Sequence, residues 1–120
     1  SNNALVVGTG NKVEDFGIGF YTKYGDGGVD ISPIADCNKT DVWEMGKFLG
    51  ISSNIINAKP TDGLWDDNRN DEDQIGLNYY ELEDAMNNPK SKHFAKYNQI
   101  REPNLHKMQP IPICKLYKKK

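Results

Sequence analysis

The sequence predicts an α/β fold that is incomplete within its 120 residues, on three observations. Ala4-Leu5-Val6-Val7 is an apolar, β-rich run ending at Gly8, which reads as a strand buried on both faces, the pattern of a parallel sheet covered by helices. Segments with helical spacing or composition follow at 39–49, 79–86 and 91–101. Only three residues precede the run, so the strand either lies at a sheet edge or has partners outside this chain.

After the strand, Gly17 to Gly28 is glycine-rich, and Gly25-Asp26-Gly27-Gly28 marks a turn. Val29 to Ile34 is expected to be short and extended, ending near Pro33. Lys39 to Leu49 is the clearest helix, with Asn38 as N-cap, Gly50 closing it and Val42, Met45 and Leu49 spaced for one face. Ser53 to Ala58 reads as a second, short helix. Residues 60–76 are acidic and rich in Asp and Asn, which predicts a long mobile loop of the kind that often serves as a lid. Tyr79 to Met86 and Ser91 to Arg101 are expected to be helical, with Phe94, Tyr97 and Ile100 on one face of the latter. Pro110-Ile111-Pro112 is extended, and Lys118-Lys119-Lys120 is expected to fray.

Composition narrows the function. The length suits one domain, and its 37% hydrophobic content is low for a self-sufficient core. No apolar run approaches the roughly 20 residues of a membrane span, and no secretory signal is visible, so a cytoplasmic protein is expected. Cys37 and Cys114 are distant and lack a CxxC partner, which reads as two reduced thiols. Residues 1–87 carry 6 Lys/Arg against 16 Asp/Glu (net −10), whereas 88–120 carry 9 against 1 (net +8). The basic tail, 88–120, has few aromatics for base stacking and the body would repel phosphates, so a nucleic-acid partner is not expected.

Three features bear on chemistry. Gly8-Thr9-Gly10-Asn11 directly follows the strand, where backbone can approach a nucleotide, although it is neither a GxGxxG fingerprint nor a Walker loop. A tight turn without a ligand explains it equally well. Glu14 is a hard oxygen donor suited to magnesium, and Lys39, Lys23 and Thr61 suit phosphate. Taken singly, such charges read more readily as solvated surface groups. The run Asp66-Asp67-Asn68-Arg69-Asn70-Asp71-Glu72-Asp73 is not an EF-hand, because Asp71 stands where glycine is required and Leu77 where glutamate is. His93 and His106 lack metal-ligand spacing, and no serine or cysteine sits in a nucleophile elbow.

The stretch GTGNKVEDFGIGFYTKYGDGGVDISPIADCNKTDVWEMGKFLG, from Gly8 to Gly50, closely resembles the synthetase domain of NAD synthetases. So do Pro60-Thr61-Asp62-Gly63-Leu64, Asp71-Glu72-Asp73-Gln74-Ile75-Gly76 and His106-Lys107, and the resemblance covers nearly the whole chain. The combination of GTxNxxE, TKYGDGG, a KT-initiated helix and a PT loop carries the specificity. GTxNxxE alone is shared with related ATP pyrophosphatases, and TKYGDGG argues against a GMP synthetase.

The resemblance implies a doubly wound parallel sheet of the adenine-nucleotide alpha hydrolase (N-type ATP pyrophosphatase) kind, of which this chain is the C-terminal part of a single domain. It also implies a reaction. The carboxylate of deamido-NAD attacks the α-phosphate of ATP, giving an acyl-adenylate and pyrophosphate, and ammonia then displaces AMP to form the amide. Magnesium is the implied metal, and a homodimer the implied assembly. By the same resemblance Thr9, Lys39 and Thr61 bind ATP, Thr61 from the closing loop, and Glu14 ligates magnesium. Phe20, Lys23, Asp30, His106 and Lys107 hold deamido-NAD, with Phe20 stacked on the nicotinate and the last two reaching across a dimer interface. Asp26 lies beside the nicotinate and the incoming ammonia, as the candidate catalytic residue. Met108 and Gln109 depart from the basic residues of many relatives.

Nothing in the chain matches the Ser-Gly-Gly-x-Asp-Ser loop with which the family grips ATP. That loop, the missing strands and a substrate-binding arginine are expected upstream of Ser1, where a glutaminase domain would also fit. The isolated chain is therefore expected to lack synthetase activity and to have limited stability. A non-catalytic dinucleotide-binding or dimerising fragment is the alternative reading.

Overall fold

A computed structural model describes residues 3–61 and 69–116. The described residues hold five α-helices: α1 (Lys39–Phe48), α2 (Ser53–Ile56), α3 (Asp71–Ile75), α4 (Tyr79–Asn87) and α5 (Phe94–Arg101). A π-helix, Val13–Ile18, precedes them, and a 3-10 helix, Glu102–Met108, follows α5 directly.

The expected sheet is reduced to one contact among the described residues. Val7 and Ile31 form an isolated parallel bridge, with Gly8 N–H donating to Ile31 O at 2.7 Å and Asp30 N–H to Val6 O at 2.9 Å. The 4–7 run is not buried as expected: Leu5, Val6 and Val7 are 66%, 57% and 54% exposed. A parallel strand becomes buried only when further strands and helices cover it, and these 120 residues supply one neighbouring segment. The surface area agrees, at 9230 Å² against roughly 6500 Å² for a compact monomer of 13.5 kDa.

The core lies among the helices instead. Val13 and Ile18 of the π-helix pack with Ile75, Leu77, Tyr79, Leu82, Ala85 and Tyr97, and Phe20, Trp43, Met86, Phe94 and Ile100 close its rim. Tyr97, Phe94 and Ile100 thus form the expected face of α5, although its first three expected residues lie outside the helix. The α1 helix starts and stops close to expectation: Asn38 N–H donates to the Asp41 carboxylate at 2.8 Å, and Gly50 turns the chain away at φ +70°. Its core-facing side differs from the Val42-Met45-Leu49 stripe. Trp43 makes the core contact, while Leu49 is 72% exposed.

Gly50→Ala is expected to cost about 1 kcal/mol, read as a lower urea midpoint. No atom lies within 4 Å of an added Cβ there, so the cost would be that of the left-handed backbone alone.

The acidic stretch 60–76 is not a single loop. Asn70 accepts the Asp73 N–H at 2.9 Å and starts α3, a capping geometry that favours a short helix over open chain. The residues 62–68 between Thr61 and Arg69 lie outside the described chain, as does the Lys118–Lys120 end. Residues 110–116 are extended and exposed. The 3-10 helix carrying His106 and Lys107 was not expected from sequence.

Candidate functional site

Two polar clusters adjoin the π-helix. The first is built around Glu14. Asn11 Oδ1 accepts the backbone N–H groups of Val13 and Glu14 at 3.0 and 3.1 Å, starting the π-helix and pointing Glu14 inward. The carboxylate then meets three donors: Lys39 Nζ at 2.9 Å and Tyr79 Oη at 2.6 Å on Oε1, and Asn11 Nδ2 at 2.6 Å on Oε2. The Glu14 and Lys39 side chains are 16% and 18% exposed, so the pair is screened far less than a surface ion pair. Lys39 also lies over the Tyr79 ring, 4.9 Å from its centroid. Burial, reinforced by the negative charge of Glu14, pushes the Tyr79 hydroxyl well above its usual range, so it stays a donor.

Lys39 is the first residue of α1, whose N-terminus is tied to α4 by Thr40: its N–H and Oγ1 donate to Glu83 at 3.1 and 2.8 Å. Lys39 and Thr61 line one pocket of about 440 Å³ between α1 and α2. Thr61 Oγ1 donates to Arg69 O at 3.2 Å, which ties together the two chain ends that flank residues 62–68. Thr9 is exposed on the turn before Asn11.

Asp15, overlooked in the sequence, lies against Gly10, whose missing side chain leaves room for the carboxylate. Burial, then the neighbouring charges of Glu14 and Asp26, raises its pKa to about 6 from 3.8. The folded state then holds this proton more tightly than the unfolded one. Its contribution to stability is present below pH 4, falls as pH rises to about 6 and stays lost above. Asp15→Asn should therefore melt with the parent below pH 4 and above it in temperature from pH 6 upward, as thermal melts over pH 3.5–7.5 would show.

The second cluster joins the turn after the π-helix to the 3-10 helix. Lys107 Nζ donates to the carbonyls of Gly19 and Tyr21 at 2.8 and 2.7 Å, and Tyr21 Oη returns a bond to Lys107 O at 2.8 Å. Lys23 Nζ donates to His106 O and Gln109 O at 2.7 and 3.0 Å. Lys23 and His106 line a pocket of about 580 Å³ with Tyr24, Gln109 and Pro110 to Pro112. Among the described residues of the basic tail, Lys96, Arg101 and Lys107 donate to backbone carbonyls of their own chain.

Asp26, Asp30 and Phe20 are placed differently. Asp26 accepts from the Thr22 N–H at 2.7 Å and from Thr22 Oγ1 within its own turn. Burial works to raise its pKa, but the Thr22 hydrogen bonds outweigh it and hold the carboxyl below its usual range. Asp30 accepts the Val6 N–H at 2.8 Å, pinning the bridge rather than facing a pocket. Phe20 packs on the rim of the core. The structure therefore joins Glu14 with Lys39, Lys39 with Thr61, and Lys23 with His106, and it bonds Lys107 to the carbonyls of Gly19 and Tyr21. Asn11 and Tyr79 are the additions: Asn11 had a signal in its spacing to Glu14, while Tyr79 read only as a helix start.

The residues can accommodate a magnesium ion only in an open way. Glu14 offers one hard carboxylate, and among the described residues no group of three or more His, Cys, Asp or Glu is placed to hold a metal. An ion that keeps most of its waters and takes one or two carboxylates fits such a donor set; one needing an all-protein cage does not. No helix among the described residues is long and apolar enough to cross a membrane.

The partly buried carboxylate–lysine pair thus follows closely on the Val7–Ile31 bridge, and Lys23 and His106 line a second pocket. A profile of the NAD synthase family matches residues 1–120, and the chain belongs to that family. It is 49% identical over 84 residues to the NH3-dependent NAD synthetase of Methanosarcina acetivorans, covering 70% of this chain and 32% of that one. With the corresponding enzyme of Archaeoglobus fulgidus it shares 38% over 122 residues, 97% of this chain and 49% of the relative. The chain thus spans about a third to a half of the length of the curated relatives it matches. Its fold superposes on an NMN synthetase from Francisella tularensis with a TM-score of 0.85 and 33% identity, over 95% of this chain and 48% of that one. It superposes on an NH3-dependent NAD synthetase from Campylobacter jejuni with 0.66 and 22%, over 94% and 46%, a likeness of fold.

Proposed function

We propose that this chain forms the phosphate-, metal- and dinucleotide-binding part of a synthetase that uses ATP and ammonia to amidate deamido-NAD to NAD. The observation that carries the reading is the Glu14–Lys39 pair next to a pocket lined by Lys39 and Thr61, together with a second pocket lined by Lys23 and His106, in a chain matched by the family along its whole length. Adenylation brings an anionic carboxylate against an anionic phosphate, so the protein must neutralise charge and hold both groups in line. Lys39 and Thr61 would bind the ATP phosphates, with Thr9 at the turn. Glu14 would hold magnesium, which when bound neutralises phosphate charge. Lys23, Asp30, His106 and Lys107 would orient the dinucleotide, with Phe20 against its nicotinate and Asp26 near the incoming ammonia. The His106–Lys107 contact would cross a homodimer interface, and the setting would be cytoplasmic.

A second reading follows from the Francisella likeness: a mononucleotide acid in place of the dinucleotide. Calorimetric titration with deamido-NAD and with nicotinate mononucleotide separates the two. Tighter deamido-NAD binding that Lys23→Met weakens about tenfold supports the first. Binding of neither, with or without ATP and magnesium, would leave the dimerising, non-catalytic alternative. Synthetase assays should give no NAD from this chain alone; NAD formation would overturn the expectation that further sequence completes the site.

A further inference from the structure

We infer that Tyr79 is a positioning residue for the phosphate and metal site, an inference that rests on the reading of Glu14 and Lys39 given above. The two charged groups come from different elements, Glu14 from the π-helix and Lys39 from the start of α1. Tyr79, at the start of α4, touches both. Its hydroxyl donates to Glu14 Oε1 at 2.6 Å, and its ring lies beneath the Lys39 ammonium. Asn11 holds the other carboxylate oxygen at 2.6 Å. With a separate donor on each oxygen, the carboxylate cannot swing without losing one of them, which is the preorganisation an ion-binding group requires.

Tyr79 is itself held firmly. It has no exposed surface, it meets Trp43 edge-on at 5.9 Å, and its backbone N–H donates to the Glu72 carboxylate at 3.2 Å. The Asn78 side chain caps the helix it begins by accepting the Glu81 N–H at 2.9 Å. A buried tyrosine hydroxyl needs an acceptor somewhere, and any backbone carbonyl would satisfy that need. Its use of the carboxylate that also binds Lys39, while its ring supports that same lysine, is what distinguishes positioning from simple satisfaction.

Tyr79→Phe removes the hydroxyl and leaves the ring contacts. The probe is Mn²⁺ alone, titrated into the chain while paramagnetic broadening of the backbone amide signals of residues 13–18 is followed by NMR. Leu82→Val serves as the control, because Leu82 is a buried core residue outside the Glu14 cluster. The expected result is localised broadening in the parent, at least a fivefold higher Mn²⁺ requirement in Tyr79→Phe, and an unchanged requirement in Leu82→Val. An unchanged requirement in Tyr79→Phe, an equal shift in Leu82→Val, or failure of Tyr79→Phe to fold would each overturn the positioning role. Absence of localised broadening in the parent would instead refute the metal reading of Glu14, and this inference with it.

Discussion

Glu14→Ala should destabilise the chain by about 3 kcal/mol, because it removes the acceptor shared by three donors, takes the carboxylate from Lys39 and leaves the buried Tyr79 hydroxyl to its long contact with Asp71 Oδ2 at 3.5 Å. For a domain of this size that is a fall of roughly 10 °C in melting temperature. Glu14→Gln is the informative companion. Its amide oxygen can still accept from Tyr79, so most of the stability should remain, but the negative charge opposite Lys39 and the carboxylate for a cation are gone. The prediction is therefore a split: a large loss of stability only in Glu14→Ala, and loss of Mn²⁺ response in both. Thermal melts alongside the Mn²⁺ titration check it. Equal, small losses of stability in the two variants would mean that the cluster contributes little to folding.

Glu14, Lys39 and Thr61 were legible in sequence through the resemblance that their motifs carry, since taken singly they read more readily as surface groups. What spacing cannot show is tertiary company. Tyr79 is 65 residues from Glu14, and nothing in its helix-starting position announces the carboxylate it meets. The same limit explains the fold. The helical patterning of α1, α4 and α5 and the capping of α1 are local properties, and these helices were found within a few residues. The burial expected of Leu5 to Val7 depends on covering strands and helices, and among the described residues it is not realised. The acidic run misled through composition: Asn70 to Ile75 is polar, which resembles loop, yet the Asn70–Asp73 capping pair makes helix the better local solution. In the basic tail, Lys107 is committed to the carbonyls of Gly19 and Tyr21, which only the folded chain brings near.

That commitment leads to the second large effect expected. The π-helix carries Glu14 and Asp15 and feeds directly into Phe20 and Lys23, so both polar clusters depend on its C-terminal end. Carbonyls at that end are left without intrahelical partners, and the C-terminal helices supply the donors. Arg101 Nη1 donates to Phe16 O and Gly17 O, Tyr97 Oη to Gly17 O at 3.2 Å, and Asn104 Nδ2 to Ile18 O at 3.0 Å. Arg101→Met keeps much of the aliphatic stem and removes a charged donor from two carbonyls, an expected cost of about 2 kcal/mol. Arg101→Lys can satisfy one of the two and should lose about half as much. Hydrogen exchange gives the site-specific readout: the Phe20 amide, bonded to Glu14 O at 2.8 Å, should exchange roughly 30-fold faster in Arg101→Met. If local opening is what spreads, dinucleotide binding at Lys23 and the Mn²⁺ response at Glu14 should weaken together. Loss of only one of them would mean that the two clusters are anchored independently of the helix end they share.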